Sequence, residues 1–371
     1  MVPATIEAHA EALGAAGVRV VASREEADLA THELLRTHRE AGLARRDVEG
    51  RWARVCDRVW EHRGTSVVST PDLGAADKDQ LRLALDPLIG VEVHLVLTLD
   101  AFSAQLYGAW LSELRRGSGA GWEKYAARVL DHATGGTREH RQGEDYWAGH
   151  ELGSLVARWA WTLHHDRVHV VADRDPARQW AGVVRHLRLS EETATGLGVR
   201  VPAYADPAGV AVLRRVNRQL DAPLARASTG LVVPLETRDA EAAAMPTVAT
   251  DVLAPLVERW RTTLEAGGYD LQGDLVGLLD AGEPTSLPGA RDQLGVAVDA
   301  LGDALADNSA LRTRVADLEA DVARLDRRRS LGPQPSAPTR AESHSTRGRS
   351  RRQSSRTRSS SSGVWTNGSK P

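Results

Sequence analysis

The sequence of 371 residues contains a single cysteine, Cys56. One thiol excludes an internal disulfide framework and a zinc cage built from cysteines. No apolar run approaches the roughly 20 residues that cross a bilayer as a helix. The first residues, MVPATIEAHAEAL, lack the basic and then apolar regions of a signal peptide. We therefore expect a cytoplasmic protein without a transmembrane segment.

Charge is distributed unevenly along the chain. The whole sequence has 47 Lys and Arg against 50 Asp and Glu, but residues 327–371 hold eleven basic residues against one acid. Ser, Arg, Pro and Gly dominate 328–371, which carries too little apolar surface to fold, so we predict a disordered tail there. This tail is either a solubilising extension or a contact for nucleic acid or another polyanion, because clustered Arg binds phosphates by releasing counterions.

A heptad repeat precedes the tail, within a helix predicted over 290–327. Apolar residues alternate at +3 and +4 from Leu294 to Leu325. Valines at a positions with leucines at d favour a parallel two-stranded coiled coil, and a buried asparagine at a, here Asn308, fixes its register. A single amphipathic helix packed on the rest of the protein would need only a similar stripe. We predict a homodimer through Leu294–Leu325.

Residues 1–283 alternate β-rich runs with helical patterns and form the predicted main domain. The runs at 65–69, 91–98 and 167–171 are β-rich, and each precedes a helical pattern. The near-continuous apolar run VEVHLVLT is typical of a parallel strand that is covered on both faces. The pattern predicts an α/β fold, a layered and mostly parallel sheet with helices on both faces.

Polar residues follow each predicted strand, at Ser69–Asp72, Thr98–Ser103 and Ala172–Asp175. Open α/β sheets bind ligands at the carboxyl ends of their strands, so these segments are where a site is expected. Ser, Thr and Asp are also the usual N-caps of helices, and taken alone each segment is better explained as a helix cap than as a site.

Several common site motifs are missing, since the sequence has no GxSxG, GxGxxG or GxxxxGK[ST] run. His164, His165 and Asp166 contain metal-ligand side chains. Adjacent histidines at a helix end are expected to diverge, and no further ligand is spaced nearby. We therefore predict no metal site.

A series of segments resembles the sulfotransferase-like proteins of actinobacteria. The segments cover roughly 1–280 and read IEAHAEALGAAGVRV, GTSVVSTPDL, VEVHLVLTLDAFSAQLYGAWLSEL, DRVHVVADRDPARQW, VLRRVNRQL and WRTTLEAGGYDLQGDL. The resemblance implies a P-loop-like α/β sheet. It also implies the donor 3′-phosphoadenosine-5′-phosphosulfate, whose sulfuryl group passes to an acceptor hydroxyl or amine.

The resemblance implies a donor loop before the first helix, where a Pro-Lys-Thr-Gly-Thr-Thr run holds the phosphosulfate with backbone N–H groups. Met1–Thr5 occupies that place here, and only Thr5 matches. The family's Arg for the 3′-phosphate falls on Asp100, and a carboxylate repels a phosphate. Ser69, Ser103 and Gln105 remain as candidate donor contacts.

The family places its general base, a His or Glu, beside the strand that ends at Ser69, and Asp72 is the candidate here. Because all three elements are missing or altered, the first hypothesis is a sulfotransferase-like protein that is weakly active or inactive and keeps acceptor or partner binding. The second is an active sulfotransferase whose true start lies upstream. The third is a non-enzymatic assembly protein with a coiled coil and a polyanion-binding tail.

Overall fold

The structure is a computed structural model. It describes residues 2–135, 140–200, 204–220, 236–237, 250–279 and 288–330. The chain divides into two compact units, Met1–Ala310 and Leu311–Pro371. All the strands and both apolar cores described below belong to the first unit.

Parallel pairing dominates the strands of the first unit. The strands are β1 Val18–Val20, β2 Thr65–Val67, β3 Leu95–Leu99, β4 Val168–Ala172, β5 Tyr204–Ala205, β6 Glu236–Thr237 and β7 Asp270–Gly273. A two-stranded parallel sheet joins β1 to β2, and a three-stranded parallel sheet has the order β3-β4-β7. The short pair of β5 and β6 is antiparallel. The structure confirms the α/β class, in a chain that is mostly helical with small sheets.

Helices fill most of the remaining described residues. The α-helices are α1 Val2–Ala8, α2 Ala10–Ala15, α3 Arg24–Leu35, α4 Arg45–Val48, α5 Arg51–Glu61, α6 Lys78–Leu85, α7 Phe102–Arg115, α8 Trp122–Ala133, α9 Arg141–His150, α10 Leu152–Trp159, α11 Pro176–Arg185, α12 Glu191–Gly196, α13 Pro207–Gln219, α14 Ala254–Gly267 and α15 Ala290–Ser330. Short 3-10 helices lie at Pro71–Ala75, Asp86–Leu88, His165–Arg167, Asp251–Leu253 and Val276–Leu278.

Local sequence explains where several helices begin and end. Ser23 and Asp77 each form a capping box. The capping side chain accepts a hydrogen bond from the backbone N–H of the third helical residue. The side-chain oxygen of that residue accepts a hydrogen bond from the backbone N–H of the capping residue. Asp206 caps α13 in front of a proline. Gly17 follows α2 with φ of 84°, the left-handed conformation that favours glycine after a helix.

Two apolar clusters lie on opposite faces of the strands. Leu95, Leu97 and Leu99 of β3 pack on the larger cluster, with α3, α5, α7 and α14, while Val96 packs on the smaller one, with α1, α2 and α11. Alternate side chains of a strand point to opposite faces, so β3 separates the two cores. Burial on both faces is the reason for the near-continuous apolar run that predicted this strand.

The predicted start of one strand was wrong. The strand predicted to begin at Val91 begins at Leu95. The helix α3 ends at Leu35, because Arg36 adopts a left-handed backbone with φ of 59° and its N–H bonds back to Glu33. Local patterns specify element type better than element ends.

The helix α15 has 41 residues and covers the predicted 290–327. The predicted tail lies outside the described residues from 331 onward. In the ranges that the structure describes, every helix is too short or too polar to cross a lipid bilayer.

Candidate functional site

Carboxylates gather at the carboxyl edge of the three-stranded sheet. Asp100 follows β3, Asp173 and Asp175 follow β4, and Asp274 follows β7. Parallel strands end at the same edge, which is where open α/β sheets bind their ligands. Arg178 bonds to Asp173 at 3.1 Å, so its charge is already engaged by one of these carboxylates.

Gln179 of α11 fills the space between the ends of β3 and β4. Its side chain is 1 % exposed. The Nε2 atom donates to the backbone oxygen of Leu99 at 3.1 Å, to Oδ1 of Asp100 at 2.8 Å and to the backbone oxygen of Asp173 at 3.3 Å. The amide therefore satisfies the strand ends itself, in the place where a bound ligand would supply partners.

Helix capping accounts for part of the predicted edge. Asp175 caps α11, because its Oδ1 accepts from the N–H groups of Ala177 and Arg178. For this segment the structure confirms the capping interpretation that the sequence left open.

Thr5, the candidate of the donor loop, is a core residue of α1. Its side chain is fully buried. The hydroxyl donates to the backbone oxygen of Arg200 at 3.3 Å and accepts from the N–H of Arg200 at 3.2 Å. These bonds tie α1 to a distant backbone segment, so Thr5 presents its hydroxyl to protein and not to a cleft.

Ser69 and Asp72 follow β2, a strand of the two-stranded sheet and not of the three-stranded one. Ser69 is half-buried, and Asp72 is exposed at the start of the 3-10 helix Pro71–Ala75. Burial lowers the pKa of His150 in α9, and the charge of Asp72 opposes that change. A neutral imidazole therefore lies near the predicted base Asp72.

Ser103 and Gln105 lie in the first turn of α7, after β3. Gln105 Nε2 donates to the backbone oxygen of Asp100 at 2.5 Å. Ser103 is 1 % exposed, and its hydroxyl has no hydrogen-bond partner in the described part of the chain. Contacts thus join Gln105 to Asp100, whereas the contacts of Thr5 lead to Arg200.

A cluster that the sequence analysis missed lies toward the amino ends of β3, β4 and β7. We call His94, His169, His186 and Asp270 the histidine cluster. The register pairs Val96 with His169 and His169 with Asp270. Alternation puts His94 on the same face as Val96, and that face packs on α11. His186 follows the last residue of α11 and therefore reaches the same place.

Close contacts connect the histidine cluster. His169 Nδ1 lies 2.9 Å from Asp270 Oδ2, and His186 Nε2 lies 3.9 Å from the same oxygen. The rings of His169 and His186 stack with centroids 3.9 Å apart. His169 Nε2 lies 3.0 Å from His94 Nδ1, and His94 Nε2 lies 2.9 Å from Glu92 Oε1. Together with Glu92, the four residues of the histidine cluster form one continuous chain of polar contacts.

The surroundings of the cluster favour a neutral imidazole beside an ionised carboxylate. Burial lowers the pKa of His186, and the neighbouring His169 lowers it further. Burial raises the pKa of Asp270, but hydrogen bonds from His169 and Gln272 outweigh that effect, and its pKa lies below the usual value. These are the protonation states in which imidazole and carboxylate bind metal ions.

A weak signal for the cluster is present in the sequence. Two of the β-rich runs, VEVHLV and RVHVV, each contain one histidine. Only the strand register brings these histidines together. The rings of His164 and His165 lie 4.2 Å apart, so the predicted divergence was wrong. Both side chains already have partners, since His164 bonds to Asp166 and His165 to the backbone of Gly268.

Comparison with known proteins gives no relative for this chain. No protein-family model matches it, and no curated protein or solved structure matches it significantly.

Proposed function

We propose that this chain is a sulfotransferase-like protein that does not transfer sulfate and acts through retained binding of an acceptor or partner. The support for the ancestry is the series of resembling segments, together with the confirmed α/β class. The support for the loss of transfer comes from the carboxyl edge of the three-stranded sheet.

The observation that carries this proposal is the contact between Gln179 and Asp100. Asp100 stands where the resembling family has an Arg for the donor's 3′-phosphate, and it accepts a hydrogen bond from buried Gln179 at 2.8 Å. A fixed carboxylate at that position repels a phosphate, and the amide occupies the space between the strand ends. The hydroxyl of Thr5, the only match to the donor loop, forms hydrogen bonds with the backbone of Arg200.

Calorimetry with adenosine 3′,5′-bisphosphate tests the proposal. We expect the full chain to bind it no more tightly than about 1 mM, the weak end of specific recognition. A micromolar dissociation constant would overturn the proposal in favour of an active sulfotransferase. Measuring turnover of 3′-phosphoadenosine-5′-phosphosulfate with a mixture of hydroxyl and amine acceptors gives the second readout, and we expect none.

A pair of matched variants tests the role assigned to Asp100. Asp100→Arg and Asp57→Arg make the same change of charge, but Asp57 is exposed on α5 and outside the three-stranded sheet. We expect Asp100→Arg to bind the bisphosphate at least about tenfold more tightly than Asp57→Arg, because only the first replaces a repulsive charge at the strand ends. Equal binding by the two variants would contradict the assignment of this edge to the donor.

A second candidate function, self-assembly, is favoured by the apolar stripe on α15. The stripe's large residues from Leu294 to Leu325 are between 48 % and 64 % exposed. Monomeric proteins seldom expose so many apolar residues in one line, and a matching stripe covers them in a coiled coil.

Charges beside the stripe fit a second copy of this chain in parallel register. With Leu294 at position a, Asp307 and Arg314 are at g, and Arg312 and Glu319 are at e. In a parallel coiled coil each g residue faces the e residue five positions further along the partner helix. Asp307 then faces Arg312 of the other copy, and Arg314 faces Glu319. Asp321 faces Asp326 and opposes pairing at the last heptad.

Sedimentation of charge-reversed variants distinguishes this dimer from a solitary amphipathic helix. We expect the wild type to sediment as a dimer, Arg312→Glu to weaken the dimer, and Asp307→Arg with Arg312→Glu to restore it. The double variant re-creates the opposite-charge pair with its sign exchanged. A monomeric wild type, or a double variant weaker than the single one, would exclude the parallel dimer.

A further inference from the structure

The histidine cluster offers three ligand atoms to one cation. His169, His186 and Asp270 each contribute an atom, and these three atoms lie within 4.8 Å of one another. In a tetrahedral zinc site with bonds of about 2.0–2.1 Å, neighbouring ligand atoms are about 3.3 Å apart. The 2.9 Å and 3.9 Å contacts that Asp270 Oδ2 makes with His169 and His186 lie on either side of that spacing.

Burial and access are both suitable for a bound ion. The side chains of His169 and His186 are 9 % and 14 % exposed, whereas that of Asp270 is 43 % exposed. Two imidazoles are therefore held by the sheet and α11, and the carboxylate side opens toward solvent. Three protein ligands leave a coordination position for water, as in metal sites that bind further ligands.

The Nε2 atom of His186 would exchange one partner for a metal ion. It accepts a hydrogen bond from Gln272 Nε2 at 3.0 Å, and an unprotonated imidazole nitrogen has one lone pair, so a bound ion would replace this hydrogen bond. The Gln272 amide also donates to Asp270 at 3.2 Å and accepts from Arg185 at 3.3 Å, and it would keep these two partners.

We propose that His169, His186 and Asp270 bind one divalent transition-metal ion of the zinc class. In this arrangement His94 is a positioning residue. It accepts from His169 Nε2–H and donates to Glu92, which also receives a hydrogen bond from Arg188 at 3.0 Å. Such outer contacts fix the orientation of a ligating imidazole. The site is separate from the carboxyl edge, so its test does not depend on the proposed loss of sulfate transfer.

Titration of the untagged full chain with zinc, monitored by calorimetry, tests the site. We expect one zinc ion per chain, and at least about tenfold weaker binding in Asp270→Asn and in His186→Ala. His164→Ala is the matched control, since His164 is exposed and bonds to Asp166 outside the cluster. We expect it to bind zinc as the wild type does. Cobalt in place of zinc should give the visible absorption of a tetrahedral site only where the cluster is intact.

Thermal unfolding separates a metal site from a structural ion pair. A ligand that binds only the folded state raises its unfolding midpoint, so zinc should stabilise the wild type and His164→Ala but not Asp270→Asn. Asp270→Asn is nearly isosteric and keeps the fold testable if His186→Ala does not fold. Absence of zinc binding by the wild type, or equal binding by the wild type and Asp270→Asn, would overturn the proposal.

Discussion

The ion pair between Glu26 and Arg58 gives a quantitative test of how the first unit is held together. Arg58 of α5 bonds to both carboxylate oxygens of Glu26 in α3, at 2.6 Å and 2.9 Å. It also donates to the backbone oxygen of Val21 at 2.7 Å, next to β1. The carboxylate completes the capping box with Ser23. One pair therefore joins a strand end and two helices.

The structure sets the size of this contribution. Chiefly because Arg58 donates a hydrogen bond to it, the pKa of Glu26 falls from 4.5 to about 2. At about 1.4 kcal/mol for each pKa unit, the full effect would be about 3 kcal/mol. The side chains of Arg58 and Glu26 are 29 % and 35 % exposed, so solvent screening reduces it to about 1–2 kcal/mol.

Glu26→Gln should therefore lower the free energy of unfolding by about 1–2 kcal/mol at pH 7, as measured by urea unfolding. A carboxyl with a lowered pKa stabilises the fold above its unfolded pKa of 4.5, and the stabilisation is lost as pH falls from 4.5 toward 2. The difference between the wild type and the variant should then shrink steadily between pH 5 and pH 3.

Glu25→Gln is the control for this prediction. Glu25 lies in the same first turn of α3 and is exposed, so both variants remove one charge near the helix N-terminus. We expect Glu25→Gln to cost less than about 0.5 kcal/mol. Equal losses in the two variants, or a Glu26→Gln loss that is unchanged at pH 3, would refute the attribution to Arg58.

Two further predictions concern the buried thiol of Cys56 and the glycine that ends β7. Cys56 is 3 % exposed, and burial raises the pKa of its thiol to about 11. A disulfide reagent at pH 8 should therefore label the native protein at least about tenfold more slowly than the urea-unfolded protein. Equal labelling rates would show that α5 opens readily. Gly273 has φ of 94°, and a Cβ there would collide with the backbone oxygen of Ala172. Gly273→Ala should therefore cost at least about 2 kcal/mol in urea unfolding. Gly295→Ala, at a helical position with open space, should cost nothing, and an equal cost at both glycines would refute the steric argument.

The carboxyl edge of the three-stranded sheet shows that a correctly predicted fold does not by itself predict an open site. The strands of the three-stranded sheet end in polar residues that a ligand could contact, as the sequence predicted. Gln179 engages the strand ends instead, because its amide bonds to the backbone oxygens of Leu99 and Asp173 and to the carboxylate of Asp100. A side chain on a later helix thus decides whether a strand end is open, and no local pattern records that choice.

Sequence alone determined the elements whose signals are local. The valine- and leucine-rich runs predicted β2, β3 and β4, and the heptad stripe predicted the helix now found at Ala290–Ser330. These signals depend on residues a few positions apart, where backbone geometry and alternation of side chains suffice.

Tertiary structure alone decided which distant polar residues meet. Thr5 was predicted near a donor and is buried against the backbone of Arg200. His94, His169 and Asp270 are far apart in sequence and converge because strand register places them on one face of the sheet, where α11 also ends. Register is set by packing of whole strands against both cores, so the single histidine in each run could not reveal the cluster.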